Sequence, residues 1–167
     1  MAIGAYVLIP AILDGPFPQK TSSSHFFDRH RAGMEALHEQ LNEDGLSQVK
    51  CYPNSVWAGI EPKGPGQRLS GDNLSKYMAL CSDARVGMGW RTEDGFLFYL
   101  GGAGDDALDF NIALIRLDRE ASAIPDCESL VPSGDFGKCQ FKLDSLWRLD
   151  YEWVSRDYLD SFSEGES

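Results

Sequence analysis

The chain has 167 residues, 43% of them hydrophobic, which is enough for the core of one domain. Its net charge of -11 argues against direct binding to nucleic acid or to anionic membranes, because both need clustered Lys and Arg. The acidity is uneven: residues 1–91 hold nine acidic and nine basic residues, whereas residues 92–167 hold seventeen acidic and six basic. This imbalance is typical of a surface that meets a basic partner.

The N-terminal segment is apolar, but no basic residue precedes Lys20, so the charged start of a secretory signal is missing. No apolar run reaches the roughly 20 residues that cross a bilayer. These features predict a cytoplasmic protein. The four cysteines lack CxxC spacing, which indicates neither a zinc site nor a thioredoxin-type motif. Because the cytoplasm is reducing, we expect free thiols at all four positions: Cys51, Cys81, Cys127 and Cys139.

The first half of the chain alternates strand and helix patterns. Ile3–Ile9 is β-branched and apolar and predicts a buried strand. Apolar residues at helical spacing predict a helix from His25 to about Asn42, with N-caps at Ser22–Ser24 and a C-terminal Gly45. The elements expected next are strands Gln48–Tyr52 and Ser55–Glu61, a loop over Lys63–Gly71, a helix capped by Asp72 and running to Cys81, and strands Arg85–Arg91 and Phe96–Leu100 around an Asp-Gly turn.

In the second half the strand signals dominate. Gly101–Asp106 predicts a glycine-rich turn, Phe110–Leu117 a strand, and residues 119–136 a long surface loop. Residues 137–154 alternate apolar and polar side chains, the period of a strand with one buried face, although the aromatic residues at the end of this segment also fit a helix. We favour strand there.

This order predicts an α+β fold: a largely antiparallel sheet of about seven or eight strands with two main helices packed on one face. We expect a single globular domain over residues 1–160 and a disordered tail over residues 161–167.

The histidines of the first predicted helix are one candidate chemical site. His30 and His38 lie two turns apart beside Glu35 and Glu39, so an acid–base pair or a metal site would use these residue types. The HExxH spacing is absent, however, and a solvated helix face explains the pattern better. Ser22–Ser24 with His25 and Asp28 have the residue types of a hydrolytic triad, but helix capping explains the serines better.

The glycines and aspartates after residue 100 are a second candidate. A phosphate-binding loop is disfavoured because Asp105 and Asp106 follow the glycines and would repel phosphate. Asp105, Asp106 and Asp109 have oxygen ligands suitable for calcium but lack the spacing of an EF-hand loop. We therefore expect no cofactor and no metal.

The C-terminal segment is the strongest candidate for a partner-binding site. Trp147, Tyr151 and Trp153 share a predicted face, Asp150 and Glu152 lie between them, and Asp157 follows. Aromatic anchors surrounded by carboxylates are typical of tight interfaces with basic partners. The alternative is that the aromatic residues are core and the acids form the wet side of a strand. If the segment is an interface, Asp105, Asp106 and Asp109 would extend it.

These patterns favour an acidic protein-binding inhibitor without catalytic activity. Its composition is similar in character to that of bacterial immunity proteins, which neutralise a toxin by covering its basic active site. The expected partner is a basic protein, either a toxin or an enzyme that acts on nucleic acid. Three alternatives stay open: a nucleic-acid mimic, a small enzyme that uses His30 and His38 with neighbouring Glu residues, and a subunit of a larger assembly.

Overall fold

The computed structural model describes residues 20–60, 66–104, 108–118, 126–127 and 135–157. Over these residues the chain forms two helices packed with an eight-stranded antiparallel sheet, so the predicted α+β fold is confirmed. The elements in chain order are α1 Lys20–Glu43, β1 Gln48–Tyr52, β2 Ser55–Gly59, β3 Gln67–Arg68, α2 Gly71–Ala84, β4 Met88–Arg91, β5 Gly95–Gly104, β6 Leu108–Leu117, β7 Phe136–Lys142 and β8 Trp147–Ser155.

Helix α1 presents one apolar stripe to the core. Phe27, Met34, Leu37 and Leu41 recur at helical spacing, and all four are buried. The helix ends as predicted at Gly45, whose φ of 66° is the left-handed conformation that glycine adopts at low cost, and Leu46 N donates to Leu41 O in a Schellman-type closure. The predicted N-caps at Ser22–Ser24 are wrong, because the helix begins at Lys20 and these serines lie within its first turns.

The N-cap of helix α2 lies two residues before the predicted cap, and the helix begins at Gly71. Ser70 takes the N-cap position with extended backbone, and Asp72 lies in the first turn, where its charge still complements the helix dipole. The helix buries Tyr77, Cys81 and Ala84 and ends when Arg85 turns to the left-handed region. Arg85 N donates to Cys81 O at this end, so the predicted strand begins later, at Met88.

Two predicted hairpins organise the sheet, whose strand order is β3-β2-β1-β4-β5-β6-β8-β7. Tyr52 pairs with Ser55 across the predicted Pro-Asn turn, and Arg91 pairs with Phe96 across the predicted Asp-Gly turn. The glycine-rich turn predicted from Gly101 is misplaced, because β5 continues to Gly104 and pairs with β6. The pairing register of β5 with β6 shifts between Tyr99 and Gly101, as at a β-bulge, and Gly101 has a φ of 148° there.

The segment with alternating side chains is a β-hairpin, which settles the strand or helix question in favour of strand. β7 and β8 pair antiparallel from Phe136↔Val154 to Lys142↔Arg148. At the turn the Asp144 carboxylate accepts from the backbone N–H groups of Leu146 and Trp147, at 2.7 and 2.8 Å. β8 therefore lies between β6 and β7 rather than at the sheet edge.

The cysteines form two disulfides, so the predicted free thiols are wrong. Cys51 on β1 bonds Cys81 on α2 and fastens that helix to the sheet. Cys127 bonds Cys139 on β7, next to an isolated parallel bridge between Asp126 and Gln140. The paired cysteines are 30 and 12 residues apart in sequence, so no local spacing motif predicts either bond.

Several predictions fall on residues outside the described ranges. These are the strand Ile3–Ile9, most of the loop over 119–136, the acids Asp105 and Asp106, and the tail 161–167. Neither of the two described helices is both long and apolar enough to cross a membrane.

Candidate functional site

The two faces of the sheet differ in what covers them. On one face the paired residues Arg91, Phe96, Arg116 and Trp147 form a row across β4, β5, β6 and β8. This row contacts α1, since Arg116 and Trp147 both donate to Glu35 on that helix. Because side chains alternate along a strand, the neighbouring residues point to the opposite face, which we call the open face.

A continuous row of paired residues crosses the open face from β3 to β7. The register joins these residues in the order Arg68, Trp57, Lys50, Met88, Tyr99, Ala113, Asp150 and Gln140. Its β3 end is basic and aromatic, and Trp57 is 39% exposed there. Towards β7 it carries the carboxylate of Asp150 on β8, which pairs with Gln140 on β7. The open face thus changes from aromatic and basic to polar and acidic along one line.

The centre of this face holds a pocket of about 360 Å³. Apolar and aromatic side chains make up most of its lining, and the polar groups gather on β6 and β8. The lining residues are Met88, Trp90, Leu97, Tyr99, Asn111, Ala113, Asp150 and Glu152. An apolar concavity with a few convergent polar groups is the usual make-up of a binding site, and here it lies on the face that α1 does not cover.

Lys138 bridges two carboxylates at the polar end of the pocket. Its Nζ lies 2.6 Å from Asp150 and 3.1 Å from Glu152. Asp150 is only 2% exposed and also accepts a hydrogen bond from Gln140. Burial raises the pKa of Asp150 above its ordinary value, and the bonds from Lys138 and Gln140 offset only part of that effect. Burial would lower the pKa of Lys138, but the two carboxylates outweigh it, so its pKa is raised.

Of the described acids of the predicted site, Asp150 and Glu152 line this pocket, and cations neutralise several of these acids. Asp109, Asp150 and Glu152 all project to the open face, as their pairing with Val154, Ala113 and Asn111 shows. Asp109 pairs with Arg156 at 3.0 Å, and Asp150 and Glu152 share Lys138. Asp157 is exposed just beyond β8. Asp105 and Asp106 lie outside the described residues.

The predicted aromatic anchors are core residues, which corrects their assignment as interface contacts. Trp147, Tyr151 and Trp153 are all buried on the helix-facing side of β8. Trp147 packs against Phe27 of α1 and stacks on Phe98 of β5. The alternation of β8 is therefore the ordinary division between a buried and an open face, and these rings are inaccessible to a partner in this fold.

The aromatic residues that do reach the open face were missed as site candidates. Trp90 and Tyr99 line the pocket, and Trp57 lies farther along the same face. The signal was present in the sequence, because β5 alternates buried Phe96 and Phe98 with outward Leu97 and Tyr99. The two-residue alternation of side chains along a strand predicts that the sheet has two different faces. It does not predict which face the helices cover.

His30, His38 and Glu35 connect helix α1 to the rest of the fold. His38 is buried against the ring of Phe96 and contacts Asn42 at 3.1 Å, and burial lowers its pKa. His30 Nδ1 lies 3.3 Å from the carbonyl of Asp83. Burial would raise the pKa of Glu35, but bonds from Trp147 and Arg116 lower it. Among the described residues, no three His, Cys, Asp or Glu side chains are grouped to hold a metal ion.

Comparison with known proteins identifies no relative of this chain. No protein-family model, curated protein or solved structure matches the chain.

Proposed function

We propose that this chain is an acidic protein-binding inhibitor that receives its partner on the open face of the sheet. The observation that carries the proposal is the pocket there, with two aromatic walls and two carboxylates at one end. Interfaces are enriched in such aromatic contacts, while carboxylates favour basic partners. An immunity protein that covers the basic active site of a toxin is the form of inhibitor that this face and the net charge of -11 support best.

Long-range attraction and local contact have different sources in this proposal. The described residues carry 17 acidic and 13 basic side chains, so they account for -4 of the net charge of -11. The whole-chain charge would speed association with a basic partner, whereas the aromatic residues of the open face would set the dissociation rate. A nucleic-acid mimic is less favoured, because Asp109, Asp150 and Glu152 are paired with cations instead of forming a bare phosphate-like row.

The disulfides bear on where this function takes place. Disulfides persist in oxidising compartments and are rare in the cytoplasm, so the pairs Cys51–Cys81 and Cys127–Cys139 favour an oxidising location over the cytoplasm predicted from the sequence. The partner would then act outside the cytoplasm. An alkylating agent added to the source cell would trap free thiols, and mass spectrometry of the purified protein would count the alkylated cysteines. Four alkylated cysteines would indicate the cytoplasm, and none would indicate an oxidising compartment.

The test of the inhibitor function begins with the product of the adjacent gene, since an immunity protein is encoded beside its toxin. Co-expression should rescue cells from that product, and purified chain should inhibit its activity. Trp90→Ala should weaken the complex by tenfold or more, a typical loss for an aromatic contact. Leu146→Ala is the control, because Leu146 is exposed in the turn between β7 and β8 and lies outside the pocket. A complex insensitive to Trp90→Ala would contradict the open face as the interface.

A further inference from the structure

We infer that the pocket on the open face binds one cationic side chain, a lysine or arginine, supplied by the basic partner. This inference rests on the proposed function, since it names the group of the partner that enters the pocket. It is carried by the charge balance at the polar end of the pocket and by the chemistry of its walls.

Among the residues that the structure describes, the charge balance leaves one negative charge at the pocket without a matching cation. Asp150 and Glu152 both line the pocket, and the single ammonium group of Lys138 serves both. Lys138 is closer to Asp150, which is buried, while Glu152 is about half exposed at 52%. An incoming cation could therefore pair with Glu152 while Lys138 keeps neutralising Asp150. A second anion at this place would be repelled.

The walls suit the apolar stem and the charged head of such a side chain. Leu97 and Ala113 offer apolar contact for methylene groups, while Trp90 and Tyr99 offer aromatic faces. Asn111 adds an amide oxygen, which accepts from the Tyr99 hydroxyl at 3.2 Å and has a further lone pair for an N–H donor. At about 360 Å³ the pocket lies near the lower end of the range for ligand sites, which fits a single side chain better than a folded segment.

The experiment uses a cation and its neutral isostere as probes. N-acetyl-L-arginine amide and N-acetyl-L-citrulline amide have the same shape, but only the first is charged. Each is titrated into the isotopically labelled full chain, and the indole N–H signal of Trp90 is followed by NMR. We expect the arginine probe to bind with a Kd of roughly millimolar order and the citrulline probe to bind about tenfold more weakly.

A matched pair of variants locates the charge that matters. Glu152→Gln removes the surplus negative charge and should reduce the affinity for the arginine probe about tenfold. Asp157→Asn makes the same change of charge on an exposed residue outside the pocket lining and should leave the affinity within about twofold. Equal binding of the two probes, no binding of either, or full binding to Glu152→Gln would overturn the inference.

The outcome can be separated from that of the proposed function. If the arginine probe binds as expected but the adjacent gene product is neither bound nor inhibited, the cation pocket stands and the inhibitor function fails. If the partner is inhibited but Glu152→Gln leaves its affinity unchanged and the probes do not discriminate, the inhibitor function stands and the inference about the pocket is wrong.

Discussion

The indole N–H of Trp147 donates to the carboxylate of Glu35 at 2.8 Å and so joins the last strand to the first helix across 112 residues of sequence. The second oxygen of Glu35 accepts from Arg116 on β6 at the same distance. One carboxylate on α1 thus holds two strands of the sheet. Because the indole N–H is in the buried part of the structure, its partner is costly to remove.

Replacing Glu35 by Ala should lower the free energy of unfolding by about 2 kcal/mol. The change leaves the Trp147 N–H without its acceptor and Arg116 without its nearest carboxylate, and hydrogen bonds to charged groups contribute about 1.5–3 kcal/mol. Urea denaturation followed by tryptophan fluorescence measures the loss. Glu39→Ala is the control on the same helix, since Glu39 is exposed, and it should change stability by less than about 0.5 kcal/mol. Equal effects of the two variants would contradict this role of Glu35.

Stability should fall as the pH is lowered through the range in which carboxylates titrate. The pKa values of Glu35 and Asp44 are lower in the folded chain than their ordinary values, so between about pH 5 and 3 the unfolded chain binds more protons. Both groups therefore stabilise the fold above their unfolded pKa and lose that effect as the pH falls. Asp150 acts in the opposite direction, because its folded pKa is raised and its protonated form is favoured in the fold.

Two variants separate these opposing contributions. Glu35→Gln should flatten the dependence of unfolding free energy on pH between about pH 3 and 5, because one group that gains stability with rising pH is gone. Asp150→Asn should make the same dependence steeper. The measurement is a series of urea denaturation curves at fixed ionic strength. A steeper dependence for Glu35→Gln would show that the sign of its pKa shift is wrong.

Removing either disulfide should destabilise the chain, and the longer loop should matter more. Loss of the Cys51–Cys81 bond relaxes a loop of 30 residues and should cost about 4 kcal/mol, whereas loss of the 12-residue Cys127–Cys139 loop should cost about 3 kcal/mol. Double Cys→Ala variants, compared by thermal and urea denaturation, give the two values. If reduction of the wild-type chain leaves its stability unchanged, the bonds are not formed in the purified protein.

The sequence predicted the strands and hairpins well because local signals specify them. The Asp-Gly turn before Phe96 and the alternation after residue 137 depend only on neighbouring residues, and both appear where expected. The site was harder because it depends on which face α1 covers. Alternation placed Trp147 and Trp153 together correctly, but only the packing against Phe27 and Phe98 shows that they are core. Disulfide pairing was unpredictable for the same reason, since it follows from the assembled fold.

Gly33 should resist substitution although it lies inside helix α1. A Cβ at this position would lie 2.5 Å from the backbone carbonyl carbon of Asp83, at the end of α2, so the two helices approach too closely for a side chain. Gly33→Ala gains about 1 kcal/mol of helix propensity but must displace backbone, and a net loss of about 1–2 kcal/mol is expected. At Gly87 an added Cβ meets nothing within 4 Å, so Gly87→Ala should be neutral or slightly stabilising. A stabilising Gly33→Ala would contradict the close approach.

Lys138 should be the most sensitive of the lysines on the open face, because it holds the buried carboxylate of the pocket. Lys138→Ala leaves Asp150 buried without its cation, a change that costs 3–5 kcal/mol for fully buried pairs. Since Lys138 is 37% exposed and water can take part of its place, we expect about 2 kcal/mol. Lys142 on the same strand is the control, because it is exposed and projects to the same face through its pairing with Arg148. Lys142→Ala should change the unfolding free energy by less than about 0.5 kcal/mol.

Because protonation neutralises Asp150, the loss in Lys138→Ala should shrink as the pH is lowered, and a loss independent of pH would show that the ion pair is not its cause.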